Sequence, residues 1–510
     1  MLKRKNGKKS NFLSIFAVAT MGIIQRQGIQ STIITYTGIL IGCLSLLWVQ
    51  PNFLKAEEVG LTRVLYSFSY FISTIIPMSA GNVIVRYFPK FRDANAKHHG
   101  FLGFILLFPA IGILICFPIL FLLKPFIIQQ YIEESPLFAN YFSLVFPLSI
   151  ILTLLAIVNN YLYSIFRPLL PALGQEVILR LLFIFLIFTY AAGFISLQYF
   201  IYAFVGTYLL QLLLVVFQLL RIGNISFKLD RSLLTPEFLK EIRKYAWMVF
   251  LAGIASMAIK MLDMIILGQF VPLALVGVYS VSAFIPIFIE APINALDKVA
   301  NSQISHSWEK NDIKNIQDIY YKSARYLYLL GGLLFLLITL NAPYVMKWLP
   351  SEYYQGLPVI SILSLSALFN LMTGSNSSII FTSDKFAAGA IALVSVAIID
   401  IILLYLLIPI WGIEGAAWAT CAASLLYNGF KWFYIKVKFK LQPFDLRTLY
   451  ITAAIISTYG ITSFLPLFGN VWMDATLHTI LASFLYLVFI WYSCAAEDLI
   501  PVIKQFTRKK

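Results

Sequence analysis

Charge is scarce in this sequence. Asp, Glu, Lys and Arg make up 12% of its 510 residues, about half the ~25% of a soluble domain, which excludes a large water-soluble core. Cysteine is nearly absent as well. Cys43, Cys116, Cys421 and Cys494 lie in apolar stretches with no CxxC or Cys/His spacing. That excludes a zinc site or redox pair and leaves small core residues. The four histidines (His98, His99, His306, His478) form no HExxH and no triad, and no glycine-rich phosphate loop occurs. Neither a hydrolytic centre nor a built-in ATPase is expected. The longest polar loops run to about 20–25 residues, too short for a folded enzyme domain. The chain therefore reads as a non-enzyme with no cofactor and no metal.

Apolar sequence fills the space instead, at 60% of residues. A helix needs about 20 mostly apolar residues to cross the hydrocarbon core. Stretches of that kind lie at 28–50, 60–85, 100–123, 137–165, 175–196, 198–221, 244–270, 272–296, 323–348, 356–381, 386–410, 413–435, 447–467 and 475–499. Their length and even spacing point to α-helices rather than barrel strands of about 10 residues. The fold class expected is an all-α polytopic membrane protein with fourteen transmembrane helices.

Cationic flanks orient such helices, because cytoplasmic loops carry an excess of Lys and Arg. In this threading all but five of the 38 Lys and Arg residues fall on one side, which becomes the cytoplasm. Lys55, Arg63, Lys124 and Lys347 lie outward and Lys260 lies mid-span. Both termini are then cytoplasmic. The net charge of +15 is accounted for by these loops, so no nucleic-acid partner is expected. Residues 1–27 open with MLKRKNGKKS and read as a basic interfacial extension, with Met21 an alternative start.

The charged stretch 222–243 divides the spans into a lobe at 28–221 and a lobe at 244–435, with spans 13 and 14 and a basic tail at 436–510. Both lobes open with a long span and then a Val-Gly pair, in AEEVGLTRVL and ALVGVYSV. Weak self-similarity of this kind is the mark of parallel transporter repeats, here two pseudo-symmetric six-helix lobes.

Ionisable groups at membrane depth cost several kcal/mol unless paired or hydrated, so each is a functional candidate. Lys260 and Asp263 lie three apart on one helix face, as a pair that neutralises itself or as the lining of a hydrated cavity. Arg63, Tyr66, Ser67, Tyr70, Ser73, Thr74 and Pro77 form a polar stripe on span 2. Small polar residues packing against a neighbour would give the same pattern, and Arg63 is near enough to the outer end to snorkel. Span 8 carries Glu290, Asn294, Asp297 and Asn301 in helical rhythm, and span 10 carries Ser366, Asn370, Thr373 and Ser377. Ser31, Thr35, Gly38, Gly42 and Ser45 on span 1 mark close helix packing. Asp400 is a lone acid in an apolar helix, open to protonation, a helix partner or ion coupling. Prolines 77, 109, 118, 147, 286 and 292 are expected to kink their spans.

The segment GIQSTIITYTGILIGCLSLLWVQPNFLKAEEVGLTRVL (28–65) resembles the start of bacterial polysaccharide-biosynthesis flippases. These are the O-antigen and lipid-linked oligosaccharide transporters of the multidrug/oligosaccharidyl-lipid/polysaccharide (MOP) superfamily. KMLDMIILGQF with VGVYSV, FIEAPINALDKVANSQISHSW and IPIWGIEGAAWAT (408–420) support the likeness, which covers essentially the whole chain. The opening MGIIQRQGIQ also looks like a family start. The resemblance implies a MATE-like fold in the bacterial inner membrane. It implies a flippase that carries a polyprenyl-pyrophosphate-linked sugar unit outward by alternating access between two lobes. Membrane lipids, glycosyltransferases and a polymerase of the same pathway are the partners it implies. A pyrophosphate would need cations at membrane depth, and Lys260, Arg63, Arg180 and Arg325 are assigned to it by chemistry. Asp263 and Asp400 are the candidates for coupling. The competing readings are a MATE-type cation-coupled drug exporter, which would carry an acid early in its first lobe, and a membrane polysaccharide polymerase or ligase, which would carry a large outward loop. Neither feature is present.

Overall fold

Lipid offers no partner for backbone N–H and C=O groups, so an apolar chain in a bilayer satisfies them internally by forming helices. The computed structural model of the protein describes residues 30–93, 95–223, 226–227, 234–464 and 470–493, and every regular element among them is helical. The basic segment 1–27, with Met21, and the tail from 494 onward lie outside the described residues.

The first half of the chain forms α1 (Gln30–Phe53), α2 (Ala56–Ile75), α3 (Ala80–Phe91) and α4 (Phe101–Tyr131). After these come α5 (Pro136–Ser164), α6 (Leu169–Ala191) and α7 (Leu197–Ile222). The second half forms α8 (Pro236–Phe270), α9 (Leu273–Phe284), α10 (Ile287–Glu309), α11 (Ile313–Met346) and α12 (Leu357–Met372). It ends with α13 (Asn376–Thr382), α14 (Phe386–Phe439), α15 (Leu446–Ser463) and α16 (Val471–Tyr492). The charged stretch 222–243 is in part helical, since α8 begins at Pro236.

Among the described residues, ten helices are long and apolar enough to cross a membrane, or twelve when each of two bent pairs counts as one. That is compatible with fourteen spans. The 54-residue α14 contains two of them, divided at Gly412 (φ 56°, ψ −128°), and the 18-residue α15 covers the thirteenth. The bends fall at prolines: α2 meets α3 at 44° around Pro77, and α9 meets α10 at 48° around Pro286. Pro109 and Pro118 stay inside a continuous α4. In that helix only 22% of the most apolar window is buried, and Leu122 is 76% exposed. A helix apolar on every side and so little covered by protein faces lipid. The protein is a multi-pass membrane protein.

The chain divides into two units, one of residues 1–54, 68–128 and 140–254 and a second of 55–67, 129–139 and 255–510. In the first, α5 is the hub, packed against α3 and α7, while α6 packs on α7. In the second, α11 is the hub, packed against α10, α12, α15 and α16. Its core residues Tyr328, Leu336 and Leu340 meet Ile451, Ile455, Ala482 and Tyr486 of the last two helices.

Candidate functional site

The second unit holds most of the polar residues singled out by sequence. On α8, Asp263 does not turn toward Lys260, one turn away. Its Oδ1 accepts from its neighbour's backbone, Met264 N, at 2.7 Å, and its Oδ2 accepts from the Tyr279 hydroxyl of α9 at 3.0 Å. Thr420 of α14 borders the same tyrosine hydroxyl. Asp400, earlier on α14, is 1% exposed, and its charge acts on both Asp263 and Tyr279. Among the described residues its Oδ1 has no hydrogen-bond partner. The backbone break at Gly412 lies between Asp400 and Thr420 in sequence, so one broken helix brings both toward Tyr279. Two neighbouring carboxylates, Asp400 buried and Asp263 half-buried, repel, and a buried acceptor without a partner costs about 1–3 kcal/mol. A proton or a small cation between the acids would relieve both penalties.

A second grouping joins α8, α10 and α12. The Asn370 amide donates to Glu290 Oε1 at 3.2 Å, and the exposed Lys260 is close enough to act on Glu290 electrostatically. Asn294 is exposed, with a long bond of 3.4 Å to the Glu290 carbonyl. Lys260 therefore answers to Glu290 across the helices, while Asp263 is committed elsewhere.

A third grouping was missed by the sequence reading, which counted Lys431 among the cytoplasmic cations. Lys431 is 2% exposed. Its ammonium donates to Ser377 Oγ at 2.9 Å and lies 4.1 Å from the Tyr427 ring centroid. Asp297 of α10 is its electrostatic neighbour and accepts from Ser378 at 3.2 Å. Asn428 gathers Thr373 and Asn376 on its side-chain oxygen at 3.3 and 3.4 Å. These bonds surround the interruption between α12 and α13, where Gly374 adopts φ +60° against the Ala324 backbone. The available signal was Asn428 and Lys431 one turn apart on a span whose other charge, Glu414, lies at the opposite end.

The remaining candidates have other partners. Arg325 is 3% exposed, lies over the Tyr321 ring at 5.9 Å and faces Asp445 electrostatically. Arg63 and Tyr66 are half-buried on α2, with Tyr353 within the electrostatic reach of Arg63. Tyr70 falls in the first unit, where the hydroxyls of Ser73 and Thr74 bond back to its carbonyl at 2.7 and 3.1 Å. That part of the polar stripe serves its own helix backbone. Arg180 is in the first unit too, ion-paired with Glu176 at 2.9 Å and hydrogen-bonded to the Gly38 carbonyl. The glycines of α1 make room for that pair, because a Cβ at Gly38 would meet Glu176 at 2.6 Å. Among the described residues no cluster of three His, Cys, Asp or Glu is arranged to hold a metal ion.

The fold, with its long lipid-facing helices and interrupted spans, is similar to that of two solved structures. One is the lipid II flippase MurJ in an inward closed conformation, at 16% identity and a TM-score of 0.73 over 92% of this chain and 100% of that chain. The other is a multidrug resistance MATE family transporter in an inward-facing conformation, at 14% identity and a TM-score of 0.61 over 81% of this chain and 98% of that one. No family model and no curated protein matches the sequence.

Proposed function

We propose that the protein transports a lipid-linked oligosaccharide with an anionic head from the cytoplasmic to the outer leaflet of a bacterial inner membrane. The observation that carries this reading is the end-to-end likeness to a flippase fold, in which all of the neighbour's length is matched. The cation-bearing group of Lys260, Glu290 and Asn370 supports it chemically, since a pyrophosphate needs a positive charge and a sugar needs amide partners. Arg63 and Tyr66 add to that chemistry. Asp263 and Asp400 serve coupling in this reading, by exchanging a proton or a monovalent cation.

Flipping of a fluorescent polyprenyl-pyrophosphate glycan in proteoliposomes tests the proposal. The wild-type protein is expected to expose the glycan to an external lectin. Lys260→Ala is expected to slow this about tenfold or more, the scale of one charge-assisted contact. Full-rate flipping by a folded Lys260→Ala protein removes the lysine from the mechanism. The likeness to a MATE transporter supports drug export as the second reading. Efflux of a cationic dye, with no glycan flipping, would establish that reading instead.

A further inference from the structure

Three segments far apart in sequence close around one hollow of the second unit: the start of α9, the turn before α12, and the break inside α14. The hollow has a volume of about 590 Å³, within the ~300–1,000 Å³ range of small-molecule sites. Trp411 and Tyr354 line it together with Gln355, Glu414 and Pro358. Both rings are open to ligand, Trp411 at 55% and Tyr354 at 47% exposure.

The walls are held from behind. Gly412 adopts φ 56° and ψ −128°, a conformation essentially reserved for glycine. That turn separates Trp411 on one side from Ile413 and Glu414 on the other. The 3-10 turn Ser351–Gly356 presents Tyr354 and Gln355. It is anchored by Tyr353, which is 0% exposed, and by Gly356, which sits directly against Ser282 of α9. Among the described residues, no hydrogen bond or ion pair engages the Glu414 carboxylate, the Gln355 amide, the Tyr354 hydroxyl or the Trp411 indole N–H.

Aromatic rings at this level of a membrane protein commonly anchor the interface. Anchoring explains the rings, but not a carboxylate and an amide placed at the same concavity. A flat apolar face beside a fork of acceptors and donors matches a pyranose, which offers a C–H face for ring stacking and a rim of hydroxyls for hydrogen bonding. We infer that this hollow is a carbohydrate subsite, in which Trp411 and Tyr354 stack on a sugar ring and Glu414 and Gln355 bind its hydroxyls. It takes neutral or amino sugars in preference to uronates, because Glu414 repels a second carboxylate. The loops that build it are outward in the cation-based threading, so it receives the glycan on the release side. This last point rests on the flippase reading above.

Saturation-transfer NMR on the full-length protein in lipid nanodiscs, free of sugar detergents, tests the subsite directly. The probes are methyl glycosides of glucose, galactose, N-acetylglucosamine and glucuronate. Transfer to the ring protons of the neutral glycosides is expected, with glucuronate weaker. Trp411→Ala should weaken binding about tenfold, and Trp411→Phe should keep most of it. Glu414→Gln should bring glucuronate up to the level of glucose. No transfer to any glycoside, or transfer undiminished in Trp411→Ala and unaltered in Glu414→Gln, overturns the inference. Lectin-detected flipping without a glycoside response removes the subsite and leaves the transport reading standing. A Trp411-dependent glycoside response without flipping does the reverse.

Discussion

Asp400 and Lys431 are the two side chains whose burial most changes their meaning. Each was visible in the sequence as a charge in or beside an apolar run, yet neither its depth nor its neighbours could be read there. Asp400 lies beside a second acid with one oxygen unpartnered. Removing its charge should therefore cost the fold little while abolishing ion exchange. Asp400→Asn is expected to unfold at the wild-type temperature or slightly above it, and to lose the response of transport to an imposed pH or sodium gradient. Thermal unfolding by intrinsic fluorescence and gradient-driven flux check the two halves of that statement. A variant that unfolds early would instead mean that Asp400 is a structural acceptor. Lys431 presents the opposite case, a buried cation whose countercharge is Asp297. Lys431→Met leaves that acid uncompensated and should destabilise by about 2 kcal/mol, the scale of a lost hydrogen bond to a charged group. Lys431→Met combined with Asp297→Asn should recover at least half of the loss, because removing both charges also removes the desolvation penalty. A double-mutant cycle with additive losses would separate the two residues.

At the scale of elements, the repeated Val-Gly pair acquires a physical reason. Gly60 of α2 lies against the Leu273 carbonyl of α9, and Gly277 of α9 lies against the Ala56 carbonyl of α2. Each glycine lets the other helix's backbone approach, so the sequence echo marks one reciprocal crossing. A Cβ at either position would collide with backbone, which cannot rotate away. Gly60→Val and Gly277→Val are each expected to cost about 1–3 kcal/mol, as overpacking does, measured by thermal unfolding. The crossing also explains why these glycines matter more than Gly253 or Gly460, around which a Cβ meets open space. Farther along the chain, α15 is clasped to α11 at its first turn. Asp445 caps α15 by accepting from Thr448 N at 3.1 Å, and it accepts from the Tyr321 hydroxyl of α11. Burial pushes this carboxyl up, but the hydrogen bonds from Tyr321 and Thr448 and the Arg325 charge outweigh it and hold it below the ordinary carboxylate range. A depressed carboxyl stabilises fully above its unfolded value and loses that contribution as pH falls through its folded value. Protection of the first turn of α15 against hydrogen exchange, taken relative to the intrinsic rate at each pH, should accordingly be full at pH 7 and fall away once the pH drops below the ordinary carboxylate range. Asp445→Asn should show the reduced protection already at pH 7, and equal acid sensitivity in both proteins would remove Asp445 as the cause.

For the whole molecule, hydropathy alone determined that the chain is helical and membrane-spanning, because the cost of an unpaired backbone group in lipid leaves helices as the available answer for long apolar runs. It also located the helices: nearly every expected span coincides with one, and the interruptions at Pro77, Pro286 and Gly412 fall at residues that disfavour a continuous helix. Helical periodicity could say which residues of one span share a face, as it did for Glu290 with Asn294. It could not say which faces of different spans meet. That choice depends on packing between segments more than a hundred residues apart, such as Gly60 against Leu273. It also depends on backbone breaks that redirect a helix, such as the one separating Asp400 from Thr420. Hence Asp263 bonds to Tyr279 rather than to the nearby Lys260, Arg180 is taken up by Glu176, and Lys431 is buried although its position along the chain suggested a solvated flank. Sequence decided where the helices are, because burial in lipid is a local property of each segment. Tertiary structure alone decided which charges are paired, because pairing depends on distances between segments that no single run of residues contains.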